Sequence, residues 1–176
     1  MQNSSSSEET YIPAEDTMFF AGYLEKESGS SALEIGTGSG YLAEILEHNF
    51  DLVVRTDLDF NSLVGQRDTN CVCCDGASAL RKKFDLIVCN FPYLPSEQIL
   101  DITTDGGPEG TQVPLHIIET TISCLKTEGK MLLLTSSLAN YGKLVREMES
   151  KNLSVRIIAK KRMFFEELVL VEARFS

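Results

Sequence analysis

The turn Gly36-Thr37-Gly38-Ser39-Gly40, set directly behind the apolar run Ala32-Leu33-Glu34-Ile35, constrains this chain more than any other feature. Ala32 to Ile35 has the length and apolarity of a short buried strand. Three glycines at alternate positions follow, and with no Cβ in the way their backbone can approach a ligand closely. Leu42, Ile45 and Leu46 then recur at helical spacing. A strand, a glycine-rich turn and a helix N-terminus together predict a nucleotide-type pocket in an α/β sheet.

The details of the turn narrow the ligand. A dinucleotide fingerprint needs Gly at position 41, where this chain has Tyr41, and no Gly-Lys-Ser/Thr triplet of a phosphate-binding loop is present. Glu34, two residues before the first glycine, adds negative charge where pyrophosphate or triphosphate would sit. It suits a ligand carrying an amino group and a sulfonium.

Length and charge exclude other classes. A chain of 176 residues fits one domain with a core of its own. No run approaches the roughly 20 apolar residues of a membrane span and no signal-type segment opens the chain, so a cytoplasmic or nuclear address is expected. The net charge of −10 disfavours nucleic acid as the direct substrate, because the field as a whole repels phosphates. Five cysteines, an odd number, read as reduced thiols. Cys71 and Cys74 have CxxC spacing, but no second pair or neighbouring His completes a zinc set, and no metal is expected. Cys71 and Cys73 read instead as apolar residues on one face of a strand, and Cys89 and Cys124 as core.

In chain order, residues 1–10 are polar and Ser-rich and read as a disordered tail, with the domain spanning 11–176. Pro13 and the acids after it open a helix that carries Met18, Phe19, Phe20, Tyr23 and Leu24. Asp51 to Thr56 is a second strand, and Asp57 at its tip stands where such folds hold ribose hydroxyls. Phe60 to Gln66 allows about two helical turns. Asn70 to Cys74 is a third strand, with Asp75 and Gly76 at its tip suited to adenine, and Ser78 to Lys83 is a short helix or turn. Phe84 to Cys89 is a buried fourth strand. Ser96 to Gln112 is a long loop of the kind used for binding. Val113 to Leu125 is a helix, Lys130 to Thr135 a strand, Leu138 to Ser150 a helix and Ser154 to Ala159 a strand. Glu167 to Phe175 follows too soon for a helical crossover, so the final pair is predicted antiparallel. The expected fold is a seven-stranded mixed sheet, mostly parallel with the last strand antiparallel and helices on both faces.

Asn90-Phe91-Pro92-Tyr93 ends the fourth strand, next to the first, at the crevice where open α/β sheets bind ligands. The lone pair of a planar nitrogen is delocalised, so alkylating it demands that the NH₂ be held by both hydrogens. The Asn90 carboxamide oxygen and the Phe91 backbone carbonyl can each accept one. The Tyr93 ring can stack on the planar group and favour developing positive charge.

The E-x-G-x-G-x-G turn resembles that of class I S-adenosylmethionine-dependent methyltransferases, and N-F-P-Y resembles the N-P-P-Y motif of those acting on amide or exocyclic amino nitrogens. Phe91 replaces the usual first Pro, which leaves the carbonyl but makes the turn less rigid. P-A-E-D-T at Pro13 to Thr17 and D-G-G-P-E-G at Asp105 to Gly110 resemble the eukaryotic and archaeal HemK-related protein-glutamine methyltransferases. The resemblance implies S-adenosyl-L-methionine as cofactor, held by Thr17, Glu34, Gly36, Gly38, Asp57, Asp75, Gly76 and Asn90, with Asn90, Phe91, Pro92 and Tyr93 at the catalytic turn. It implies as substrate the Gln of the Gly-Gly-Gln motif in a class I translation release factor, and as partner a small zinc-binding activator. The short apolar edge strand at Cys71 to Cys74, behind Leu58, Phe60, Leu63 and Val64, invites pairing with that partner. Two alternatives remain: a nucleic-acid amino-methyltransferase, and a cofactor-binding scaffold that has lost catalysis.

Overall fold

The computed structural model describes residues 14–64, 66 and 70–176. The expected disordered tail, Pro13 and part of the segment after the third helix lie outside these residues.

One sheet of seven strands organises the domain. In chain order β1 is Gly29–Ile35, β2 Phe50–Asp57, β3 Cys71–Cys73 and β4 Phe84–Asn90. A small pair, β5 (Leu94–Pro95) and β6 (Asp105–Gly107), lies apart from the main sheet, which continues with β7 (Leu125–Ser136), β8 (Leu153–Arg162) and β9 (Glu167–Phe175). The main order is β3-β2-β1-β4-β7-β9-β8, so β4 lies beside β1 as expected. All neighbours through β7 run parallel, and β9 is antiparallel to both β7 and β8. Strand β8 runs on to Arg162, longer than its apolar run indicates, and only Met163 to Glu166 turn the hairpin.

Helices α1 (Glu15–Leu24) and α2 (Tyr41–Leu46) cover one face, where Phe20, Leu24, Leu42 and Leu46 pack on Val53, Leu86, Val88, Leu132 and Leu170. Helices α4 (Gln112–Thr121) and α5 (Tyr141–Ser150) serve the other, where Ile118, Leu144 and Met148 join Leu33, Ile87, Met131, Leu133 and Val171. Burial of these side chains on both faces explains why the central strands read as unbroken apolar runs. Cys89 and Cys124 are core residues, as expected.

Two local expectations need correction, and the facing of β3 is settled. Helix α3 is a single turn, Phe60–Leu63, started by the Asp59 carboxylate accepting from Asn61 N and ended by extended backbone at Val64. The α4 helix stops at Thr121 and tightens into a 3₁₀ turn, Ile122–Cys124, leading directly into β7. In β3 the residue that packs on the core is Val72, whereas Cys73 is exposed, so the cysteine face points away from the core.

Candidate active site

The tips of β1, β2, β3 and β4 surround one cavity of about 520 Å³. At the β1 tip Gly36 and Gly38 hold φ of 67° and 50°, which L side chains rarely adopt. A Cβ at either would meet nothing within 4 Å, so the backbone there is an open cradle facing the cavity. Beneath it lies Glu34, 2% exposed, whose Oε2 accepts from Thr37 Oγ1 at 2.6 Å and Ala43 N at 3.1 Å. Burial pushes its carboxyl up to about 8, against the opposing pull of these two bonds and of Arg55.

Asp57 closes the β2 tip. Its Oδ2 accepts from Gly38 N at 2.9 Å and its Oδ1 from Asp59 N at 2.8 Å, so the carboxylate braces the glycine turn while keeping lone pairs for a ligand. At the β3 tip Asp75 Oδ2 lies 2.6 Å from His116 Nε2, and His116 reaches it from α4. No local pattern signals this pairing.

The β4 tip carries Asn90, whose Nδ2 donates to Asp16 Oδ2 at 3.0 Å. Its Oδ1 is buried and has no hydrogen-bond partner among the described residues. The cavity wall brings together Thr17, Glu34, Gly36, Gly38, Asp57, Asp75, Gly76, Asn90 and Pro92. Phe91 and Tyr93 are outside that wall. The Phe91 ring is buried in the core. Tyr93 is half-buried on the α1 side, and desolvation together with the nearby Glu166 and Asp16 carboxylates raises its hydroxyl pKa above the usual phenol range.

The long loop after β4 is more ordered than its sequence suggests. Leu94 N donates to Thr104 O and Ser96 N to Gly107 O, pinning its base into the β5–β6 pair. Asp105 Oδ2 accepts from the backbone of Leu100 and Asp101 at 2.9 Å each, which closes a turn that sets Ile99 and Ile102 on the cavity wall. Its glycines meet the turn after Asn90 directly. A Cβ on Gly110, at φ 65°, would collide with the Tyr93 carbonyl oxygen. Gly110→Ala should destabilise the protein by on the order of 2–4 kcal/mol from strain and displacement of that turn. A thermal melt of the variant unchanged from wild type would contradict this packing.

No protein-family model matches the chain. It is 26% identical over 180 residues, 94% of this chain and 91% of the other, to a Methanocaldococcus jannaschii protein assigned by name to the protein N5-glutamine methyltransferases. It is 36% identical over 100 residues to a release factor glutamine methyltransferase of Bradyrhizobium diazoefficiens, a match that spans 44% of this chain and 34% of that one. Among solved structures, the E. cuniculi Mtq2–Trm112 complex, described as responsible for methylation of the eRF1 translation termination factor, superimposes with a TM-score of 0.80. The identity is 25%, over 94% of this chain and 98% of that one.

The chain has the class I methyltransferase fold. The cavity fits S-adenosylmethionine: a bare backbone cradle, a buried carboxyl group and two acidic strand tips suit a cationic ligand that bears hydroxyls. The same fold occurs in a Streptococcus mutans methyltransferase solved in complex with SAH, with a TM-score of 0.61 at 14% identity over 92% of this chain and 99% of that one.

Proposed function

We propose that this methyltransferase modifies the side-chain amide nitrogen of the Gln in the Gly-Gly-Gln motif of a class I release factor, as the catalytic subunit beside a small zinc-binding activator. The observation that carries the reading is the Asn90 side chain, which lines the cavity and whose buried Oδ1 has no partner among the described residues. A lone acceptor with that burial is costly unless a ligand supplies its donor. The relatives named for glutamine methylation support the choice of substrate.

In this reading Glu34, the Gly36–Gly38 cradle, Asp57, Asp75, Gly76 and Thr17 hold the cofactor, which supplies an electrophilic methyl group on sulfur. Asn90 Oδ1 and the Phe91 carbonyl accept the two amide hydrogens and turn the nitrogen toward the cradle. Tyr93 flanks the planar group. The alkylated nitrogen is acidic, so its proton passes to water and the site needs no strong base. Rate enhancement comes from alignment and from oxygens placed where positive charge grows.

The activator reading rests on the β3 edge. This strand has three residues and pairs only with β2, and Leu58, Phe60 and Val64 beside it are 59%, 65% and 63% exposed. Short, uncharged edges bordered by apolar side chains seek another strand. The E. cuniculi neighbour was solved as a complex with a second protein, which supports a partner here. Expressed alone, the chain should be poorly soluble; co-expression with the activator should restore soluble protein that transfers tritium from labelled cofactor to release factor and not to DNA or RNA. A soluble, fully active monomer would remove the partner from this scheme. Label appearing in nucleic acid alone would replace the substrate.

A further inference from the structure

A carboxamide has two ends of nearly equal size, and at this site only one of them works. Oδ1 toward the substrate accepts an amide hydrogen, whereas Nδ2 in that place would set N–H against N–H. Resting on the reading above, we propose that Asp16 is a positioning residue that dictates which end of the Asn90 carboxamide faces the substrate.

The geometry supports this in three steps. Asp16 Oδ2 lies 3.0 Å from Asn90 Nδ2, and the two residues are 74 positions apart in the chain. An ionised carboxylate only accepts, so it binds the NH₂ end and repels the oxygen end. The flipped carboxamide would place oxygen against oxygen there, and Oδ1 is therefore the end left without a partner among the described residues, on a side chain that lines the cavity.

Asp16 is itself fixed. Its Oδ1 accepts from Thr17 N at 2.6 Å and from Thr17 Oγ1 at 3.3 Å, and Thr17 lines the same cavity. It stands in the first turn of α1, which Phe20, Ala21 and Leu24 anchor in the core. An acid in a first helical turn has a bland use, since it complements the helix dipole. That use requires no contact with Asn90. The contact also gives α1 a part in the chemistry beyond covering the sheet.

The test compares wild type, Asp16→Ala and Asp16→Asn as full chains, each with the activator. Asparagine is isosteric but can present either end, so it no longer forces the orientation. Both variants should lose about 10- to 100-fold in kcat on release factor, with cofactor Kd within about twofold of wild type in Asp16→Asn, whose amide oxygen still accepts from Thr17. The Asn90 side-chain NH₂ resonances, identified by their disappearance in Asn90→Ala, should shift and lose protection from solvent exchange in both. A helix-dipole role alone would leave those resonances in place. Wild-type kcat in Asp16→Asn, or unmoved Asn90 resonances in Asp16→Ala, would overturn the proposal. Absence of release-factor methylation by wild type would instead strike the substrate reading, and the resonances would still decide the role of Asp16.

Discussion

Replacing Asn90 with Ala is expected to lower methyl transfer by about 100- to 1,000-fold, the loss usual when a positioned hydrogen-bonding group is removed from a reacting centre. The variant keeps Glu34, Asp57 and the open glycine cradle, so cofactor affinity should change by less than about threefold. The split follows from geometry. Asn90 Nδ2 is committed to Asp16 and its Oδ1 has no described partner, so in the proposed reading the oxygen is the end left for the second substrate. A neutral amide nitrogen is a poor nucleophile, and without that acceptor its lone pair is no longer held in line. Single-turnover rates alongside calorimetric cofactor binding check this. Retained turnover would show that the nitrogen is held elsewhere, and lost cofactor binding would show that Asn90 shapes the cofactor site instead.

Glu34→Gln should produce opposite effects on stability and binding. Burial raises the Glu34 carboxyl from 4.5 to about 8 in the folded protein. A folded-state pKa above the unfolded value means that the contribution of this group to stability is full below about pH 4.5 and is lost as pH rises through 8. Gln can accept the same bonds from Thr37 Oγ1 and Ala43 N without ever carrying a buried charge. The cofactor-free variant should therefore match wild type near pH 5 and exceed it above pH 8 by on the order of 2–4 kcal/mol. In a domain of this size that corresponds to about 2–4 °C in Tm per kcal/mol.

Cofactor binding should fall in the same variant, by about 10- to 100-fold, because the charge that faces a cationic ligand is gone. In wild type near neutral pH, ionising Glu34 on binding should release a proton, visible as a calorimetric enthalpy that depends on the buffer. Melts recorded from pH 5 to 9, with and without cofactor, separate the two effects. A variant no more stable than wild type at pH 9 would mean that Glu34 carries no burial penalty.

Most of the architecture is legible in the sequence because short-range chemistry and the final fold agree. The apolar run before Gly36 had to be a central strand, and the brief spacing before Glu167 could only make a hairpin. Asn90 and Glu34 are likewise locatable, since each ends or borders a strand whose tip faces the crevice. Long-range pairings were invisible. Nothing in the local pattern joins Asp16 to Asn90 or His116 to Asp75, because both contacts depend on how helices are set against the sheet. Asp16 carried a partial signal, standing beside Thr17 in the P-A-E-D-T motif. The facing of β3 was not legible for a related reason: at a three-residue edge strand, alternation alone does not say which face meets the core, and Val72 takes it.

The central claim is that a carboxamide oxygen and a neighbouring peptide oxygen present a glutamine amide to the cofactor. Tandem mass spectrometry of release factor incubated with cofactor, activator and this protein tests it most directly. One added methyl group, localised to the side chain of the Gln in the Gly-Gly-Gln segment and absent when Asn90→Ala replaces wild type, is the expected result. A methyl group on any other residue, or one that persists in the variant, would contradict it.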